Sequence, residues 1–253
     1  MLLHHIALGG TGKPPMLVLH GMLGSSRNWK TTGRDLAEHF HVFALDARNH
    51  GKSPHAPEMT YEVLMNDLIA WLDVNGIAKA ILVGHSMGGK TAMLLACRHP
   101  ERVERLVVVD IAPRDYYWVA HRGEFAAMNE LDLTSLQSRH EAELRFETRV
   151  SSHGIRKFLA TNLEQGVEGW RWAVNLPVLT QGLPVMEKNS LQVDDRFAGP
   201  ALFISGGRSH YVQTADQVVI KKHFPAARIE VIADSGHNLH MDRREEFVRL
   251  VLS

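Results

Sequence analysis

The sequence predicts an α/β protein: a mostly parallel sheet with helices on both faces, interrupted by one helical insertion. Three observations predict it. Short, continuous apolar runs end in polar, glycine-containing loops, as buried strands do. Segments with helical spacing alternate with these runs, and such alternation implies parallel strands covered on both sides. Between Arg114 and Phe197 the alternation stops, helix-like pieces take over, and no convincing buried strand is found.

The elements follow in order. "MLVLH", Met16 to His20, reads as a buried strand that runs into a loop at His20-Gly21. "RNWKTTGRDLAEHF" is helix-like in its later part, and Val42 to Leu45 form the next strand. A helix is expected over "TYEVLMNDLIAWLDVNG". Thr60 is its N-cap, Val63, Leu64, Leu68, Ile69 and Leu72 share one face, and Asn75-Gly76 stops it. Then come the strand "AILVG", the helix "GGKTAMLLACRHP" ended by Pro100, and the strand "VERLVVVDIAP". The insertion carries helical pieces in "EFAAMNELDL" and "SRHEAELRFETRV". The sheet resumes at "PALFISGG", followed by a helix in "QTADQVVIKKHF", the last strand in "ARIEVIADSGH" and an amphipathic helix in "RREEFVRLVL". Residues 1–113 and 198–253 are therefore expected to form a core, and residues 114–197 a helical cap.

Bulk composition narrows the partners. The chain has 253 residues, 45% of them hydrophobic, enough for a large core. Its 28 basic and 28 acidic residues cancel, which argues against nucleic acid or an anionic membrane surface as partner. Cys97 is the one cysteine and sits in an apolar run, so it reads as a core residue in a reducing compartment. The first residues lack the pattern of a signal peptide, and no apolar stretch approaches the ~20 residues that span a bilayer. A soluble, cytoplasmic protein is expected, with no metal or cofactor. Oligomeric state is left open.

The chemistry centres on "ILVGHSMGGK". Ser86 lies between a strand and a helix, with Gly84 two before it and Gly88 two after. This Gly-X-Ser-X-Gly pattern on a strand–turn–helix corner lifts a hydroxyl clear of the sheet, at the edge where open parallel sheets bind ligands. A serine hydroxyl needs a base at neutral pH, and histidine is the usual one. Of the sixteen histidines, His237 in "ADSGHNLH" follows the last strand at the same edge, with His240 as second choice. His85 is expected to point away, and His20 to shape its loop. The N–H of Met87, next after the serine, is one expected oxyanion donor. That of Met22, in "HGMLGSSRNW", is the other.

His20-Gly21, "DARNHGKS", "GHSMGGK" and the late "SGH" stand in the order of the α/β-hydrolase superfamily, which the sequence resembles over nearly its whole length. "HGMLGS", "DARNHGKS" and "VVVDIAPRDY" look most like the small bacterial esterases of the YbfF type. The resemblance implies an α/β-hydrolase fold with an eight-stranded or seven-stranded sheet and the cap after the sixth strand. It also implies an acid in the loop after the cap, as most members have. Here that loop, "SGGRSHYV", holds no carboxylate, and Ser209 stands about where one is expected. Asp216 comes next but reads as a charge near a helix N-terminus. Asp110, at the tip of the strand that the resemblance sets beside the serine strand, is the better candidate. An acid after so apolar a run needs a polar partner, and capping the following turn is the alternative use. In the YbfF-type esterases the acid is implied at this same place, with the serine of the vacated position joining its network. Asp46 and Arg48 read as a structural ion pair or loop anchor.

The expected activity is hydrolysis of carboxylic esters of short to medium acyl chain, or of acyl thioesters, with a small-molecule ester as the partner. Tyr116, Trp118 and Trp172 of the cap are expected to line the substrate pocket. Two alternatives stay open. A carbon–carbon bond hydrolase or menaquinone-pathway lyase of the same fold would use a polar pocket, for which Arg114, Arg122 and Arg171 are available. A non-catalytic hydrolase-like binding protein would lack a reactive serine.

Overall fold

Along each buried strand, apolar side chains face the two sides of the sheet in turn, so one run supplies two cores. In the computed structural model, which describes residues 1–253, Leu17, Leu19, Leu82, Leu106 and Val108 join one core, and Met16, Val18, Ile81, Val83, Val107 and Val109 the other. The strands are His5–Gly9 (β1), Pro15–Leu19 (β2), His41–Leu45 (β3), Ala80–His85 (β4), Val103–Val109 (β5), Leu163–Gly166 (β6), Gly169–Trp172 (β7), Ala201–Gly206 (β8) and Ala227–Ile232 (β9). The helices are Lys30–Leu36 (α1), Tyr61–Val74 (α2), Met87–Arg98 (α3), Val119–Glu130 (α4), Arg139–Arg145 (α5), His153–Ala160 (α6), Leu176–Met186 (α7), Asp216–His223 (α8), Leu239–Asp242 (α9) and Arg244–Leu252 (α10).

Seven strands form the main sheet in the order β1-β3-β2-β4-β5-β8-β9. All neighbours are parallel except β1, which pairs antiparallel with β3 at the edge. The serine strand β4 therefore has β5 beside it and β8 one spacing further out, as the placement of Asp110 requires. The sequence reading misses β1, because its residues are half-exposed and lack a continuous apolar run. With only β1 ahead of β2, the strand that leads into the insertion is the fifth of the chain, not the sixth. Thr60 caps α2 as expected, its hydroxyl accepting from the Val63 N–H at 3.3 Å. No helix is long and apolar enough to cross a membrane.

The segment between β5 and β8 carries α4 to α7 and a small antiparallel hairpin of β6 and β7. The hairpin is largely exposed, which is why no buried strand is evident in the sequence. Lys90 of α3 ties this segment to the core. Its Nζ donates to the carbonyls of Glu187 and Lys188 at the end of α7, at 3.3 and 2.5 Å. The rings of Tyr61, Tyr116 and Trp118 surround that ammonium at 5.4, 5.0 and 5.6 Å, a favourable cation–π setting. Burial pushes the Lys90 pKa down to about 7.

Candidate active site

The turn from β4 to α3 holds Ser86 at φ 52° and ψ −115°, a conformation that side-chain-bearing residues rarely adopt. Such strain costs on the order of 1–3 kcal/mol and persists where the surroundings enforce it. They do so here in two ways. The Ser86 N–H donates to the Val109 carbonyl at 3.0 Å. Strand and helix also cross so closely that a Cβ on Gly84 would lie 2.3 Å from the Gly88 oxygen. Ser86 then faces a cavity of about 550 Å³.

Asp110 follows β5 with its own positive φ of 51°, and its N–H continues the ladder to the Ile204 carbonyl at 2.8 Å. Its side chain is wholly buried and saturated with donors. Oδ1 accepts the Gly206 N–H at 3.0 Å; Oδ2 accepts the His237 Nδ1–H at 2.7 Å and the hydroxyl of Ser209. A carboxylate so bonded avoids the penalty of an unpaired buried charge. The loops after β8 and β9 pack backbone to backbone to achieve this. A Cβ on Gly206 would meet the Gly236 oxygen at 2.3 Å, and the Arg208 N–H donates to the Ser235 carbonyl at 3.0 Å.

His237 lines the same cavity as Ser86. With Nδ1–H given to Asp110, Nε2 is left as the imidazole's free acceptor. No hydrogen bond joins Ser86 to His237 in this structure; in unliganded enzymes such contacts are often long and tighten around substrate. Tyr211 lies flat on the His237 ring, with centroids 3.8 Å apart and planes 17° apart. Tyr116 positions it, donating its hydroxyl to the Tyr211 carbonyl at 2.7 Å.

The other expected groups fall as follows. The Met22 N–H has no acceptor within the protein, and the Met87 N–H opens a helix, where no intrahelical acceptor exists. Both residues are buried beside Ser86. His20 donates Nδ1–H to the Gly21 carbonyl at 2.8 Å and accepts the Ala47 N–H on Nε2 at 3.0 Å, so it shapes its loop. His85 does not point away. The loop after β9 folds back over the turn, so His85 bonds the His237 carbonyl at 2.9 Å, with ring centroids 4.5 Å apart. His240 stacks on Trp29 at 4.3 Å, and burial pushes its pKa down to about 3. Asp216 is held by Arg114 at 2.9 Å and by the Gln213 N–H at 2.9 Å. Arg48 pairs with Asp67 of α2 at 2.6 Å rather than with Asp46, which instead takes His4 at 2.8 Å and the Ser26 and Lys52 N–H groups.

The expected pocket aromatics do not line this cavity. Tyr116 and Trp118 are drawn to the Lys90 ammonium, and Trp172 lies stacked near Phe146, with centroids 6.5 Å apart. The insertion contributes other residues: Ala120, His121 and Glu124 of α4, and Ser152, Gly154, Ile155 and Phe158 at α6. His121 and Glu124 were not singled out from sequence; their only signal is the one-turn spacing of a histidine and a glutamate. Arg114, Arg122 and Arg171 are engaged by Asp216, Glu187 and Glu164, and none reaches this cavity.

The buried histidines make stability depend on pH. Burial lowers the pKa of His20, His85, His50 and His240, the last two to about 3. The unfolded chain then binds more protons than the folded one from about pH 6.5 down to those folded values, so stability falls on acidification. Calorimetry should show the melting temperature dropping steadily from pH 6.5 to 4. His50→Gln should flatten the slope, by at most about 1.4 kcal/mol per pH unit for one proton. A melting temperature level across that range would contradict the assignment.

A parallel sheet with a strained serine turn after its central strand, and a histidine–aspartate pair beyond its neighbours, defines the α/β-hydrolase class. Residues 14–146 match the model of the α/β hydrolase fold family, and the chain belongs to that family. It is 36% identical to the esterase YbfF of Escherichia coli, over 94% of this chain and 91% of that protein. It is 38% identical to the mouse sn-1-specific diacylglycerol lipase ABHD11, over 100% of this chain and 84% of that one. A solved structure described as a marine microorganism esterase superposes with a TM-score of 0.96 at 32% identity, covering 100% of this chain and 98% of the other.

Proposed function

We propose that this protein is a serine esterase that cleaves carboxylic esters of short to medium acyl chain through an acyl-enzyme on Ser86. The observation that carries the reading is the 2.7 Å contact between Asp110 and His237 in the cleft that Ser86 lines. The names of the esterase and lipase relatives point the same way.

In this reading Ser86 Oγ attacks the acyl carbon while His237 Nε2 takes its proton. Asp110 holds the imidazole in the tautomer that leaves Nε2 free, and stabilises the imidazolium. The N–H groups of Met22 and Met87 receive the oxyanion, an effect worth on the order of 10²–10³ in rate per donor. His237 then protonates the departing alcohol, and a water activated by the same nitrogen releases the acid. Acyl thioesters present the same carbonyl to the same groups and fall within the reading.

A fluorophosphonate probe and a panel of p-nitrophenyl esters and acyl-CoA thioesters graded by acyl length test it. Labelling on Ser86 with ester turnover that peaks at a short or medium chain is the expected result. A protein that takes no label and cleaves no member of the panel would be a binding module instead.

A further inference from the structure

The wall that α4 gives to the cavity is polar. His121 and Glu124 lie one helical turn apart and both line it. The His121 Nδ1–H donates to Glu124 Oε2 at 2.6 Å, and the Glu124 side chain is only 9% exposed. The His121 ring is fixed edge-on against Trp118, with centroids 5.2 Å apart and planes at 87°. The protein hydrogen-bonds one carboxylate oxygen of Glu124, no hydrogen bond within the protein reaches the other, and Glu124 lines the cavity. That oxygen is free to accept from a donor that enters the cavity.

This wall belongs to the same cavity as Ser86 and His237. Glu124 and Tyr211 line the same cavity, and after burial the Glu124 charge helps to raise the Tyr211 hydroxyl pKa. Tyr211 in turn covers the His237 ring at 3.8 Å. Glu124 thus shares one cavity with the base and with the ring that covers it, and it is the base that protonates a leaving alcohol.

We propose that Glu124, oriented by His121, accepts a hydrogen bond from the alcohol portion of the substrate. The enzyme would then select esters whose alcohol carries a second donor, a free hydroxyl or a protonated amine, over apolar or anionic ones. This rests on the esterase reading above and adds the substrate class. An anionic alcohol portion meets a like charge, and the His121 Nδ1–H that could offset it is already committed to Glu124.

The test compares kcat/KM for 2-hydroxyethyl, 2-methoxyethyl and 2-(dimethylammonio)ethyl butanoate, with p-nitrophenyl butanoate as reference. A hydrogen bond to a charged group corresponds to a preference of roughly 10- to 100-fold for the hydroxyethyl over the methoxyethyl ester. The ratio is the readout, since both esters meet the same triad and a general loss of activity cancels. Glu124→Gln should shrink it and Glu124→Leu should bring it close to one. His121→Ala, which frees the carboxylate to turn, should also shrink it. With that ratio high, the faster of the hydroxyl and ammonium esters names the preferred donor. A wild-type ratio near one, with p-nitrophenyl butanoate cleaved, overturns this inference and leaves the esterase reading intact. A high ratio that survives Glu124→Leu overturns it too. If the wild type cleaves no ester, the esterase reading fails and this inference with it.

Discussion

Replacing Ser86 with alanine will cut ester turnover by roughly 10⁶-fold in kcat and abolish fluorophosphonate labelling, while the melting temperature holds. The change deletes one oxygen and keeps the Cβ. The strain at φ 52° is enforced by the Ser86 N–H bond to Val109 and by the close crossing at Gly84, and neither uses the hydroxyl. The fold therefore survives the loss. What remains is the pair of N–H groups at Met22 and Met87, which can still polarise a bound carbonyl; such remnants retain about 10³–10⁴-fold over water in serine proteases. A loss smaller than tenfold would mean that another group attacks the ester. Steady-state kinetics on p-nitrophenyl butanoate, beside an unfolding curve of the same sample, decides it.

The sequence carries local physics, and what it reveals follows from that. Continuous apolar runs mark β2, β4, β5 and β8 because these strands are buried on both faces. The edge strand β1 is half-exposed and leaves no such mark. The serine turn is legible because its glycines are required within five residues. The pair of His237 and Asp110, 127 residues apart, can be anticipated only by placing two strand tips on one edge of the sheet. The walls of the cavity are a different matter. Tyr116 and Trp118 look like pocket residues by type, yet the buried ammonium of Lys90, directly after the glycine pair Gly88-Gly89, competes for the same rings. Nothing in the order of residues tells which attraction wins. Likewise, the antiparallel hairpin of β6 and β7 buries only Leu163 fully, so it has no buried run to announce it.

Asp110→Asn will lower kcat roughly 10⁴-fold, the second largest effect expected, with the fold retained. Asparagine fits the same space and can still accept the Gly206 N–H that Oδ1 now takes at 3.0 Å. Its amide, however, presents a donor where Oδ2 now accepts His237 Nδ1–H at 2.7 Å. The imidazole must then carry its proton on Nε2, which removes the lone pair that Ser86 needs. Ser209→Ala should cost far less, at most about tenfold, because it removes one of three donors and leaves the charge in place. Asp216→Asn should stay near wild type, since that carboxylate is already engaged by Arg114 and the Gln213 N–H. The reverse pattern, with Asp216→Asn inactive and Asp110→Asn active, would move the acid to α8. A rescue sharpens the test. The Ser209 hydroxyl contacts the Asp110 oxygen that His237 uses, so a carboxylate grafted at that position lies within reach of Nδ1. Ser209→Asp in the Asp110→Asn background should recover about tenfold or more of the lost kcat, the scale of one charged hydrogen bond. Failure of the rescue together with full activity in Asp110→Asn would mean that His237 needs no carboxylate at all.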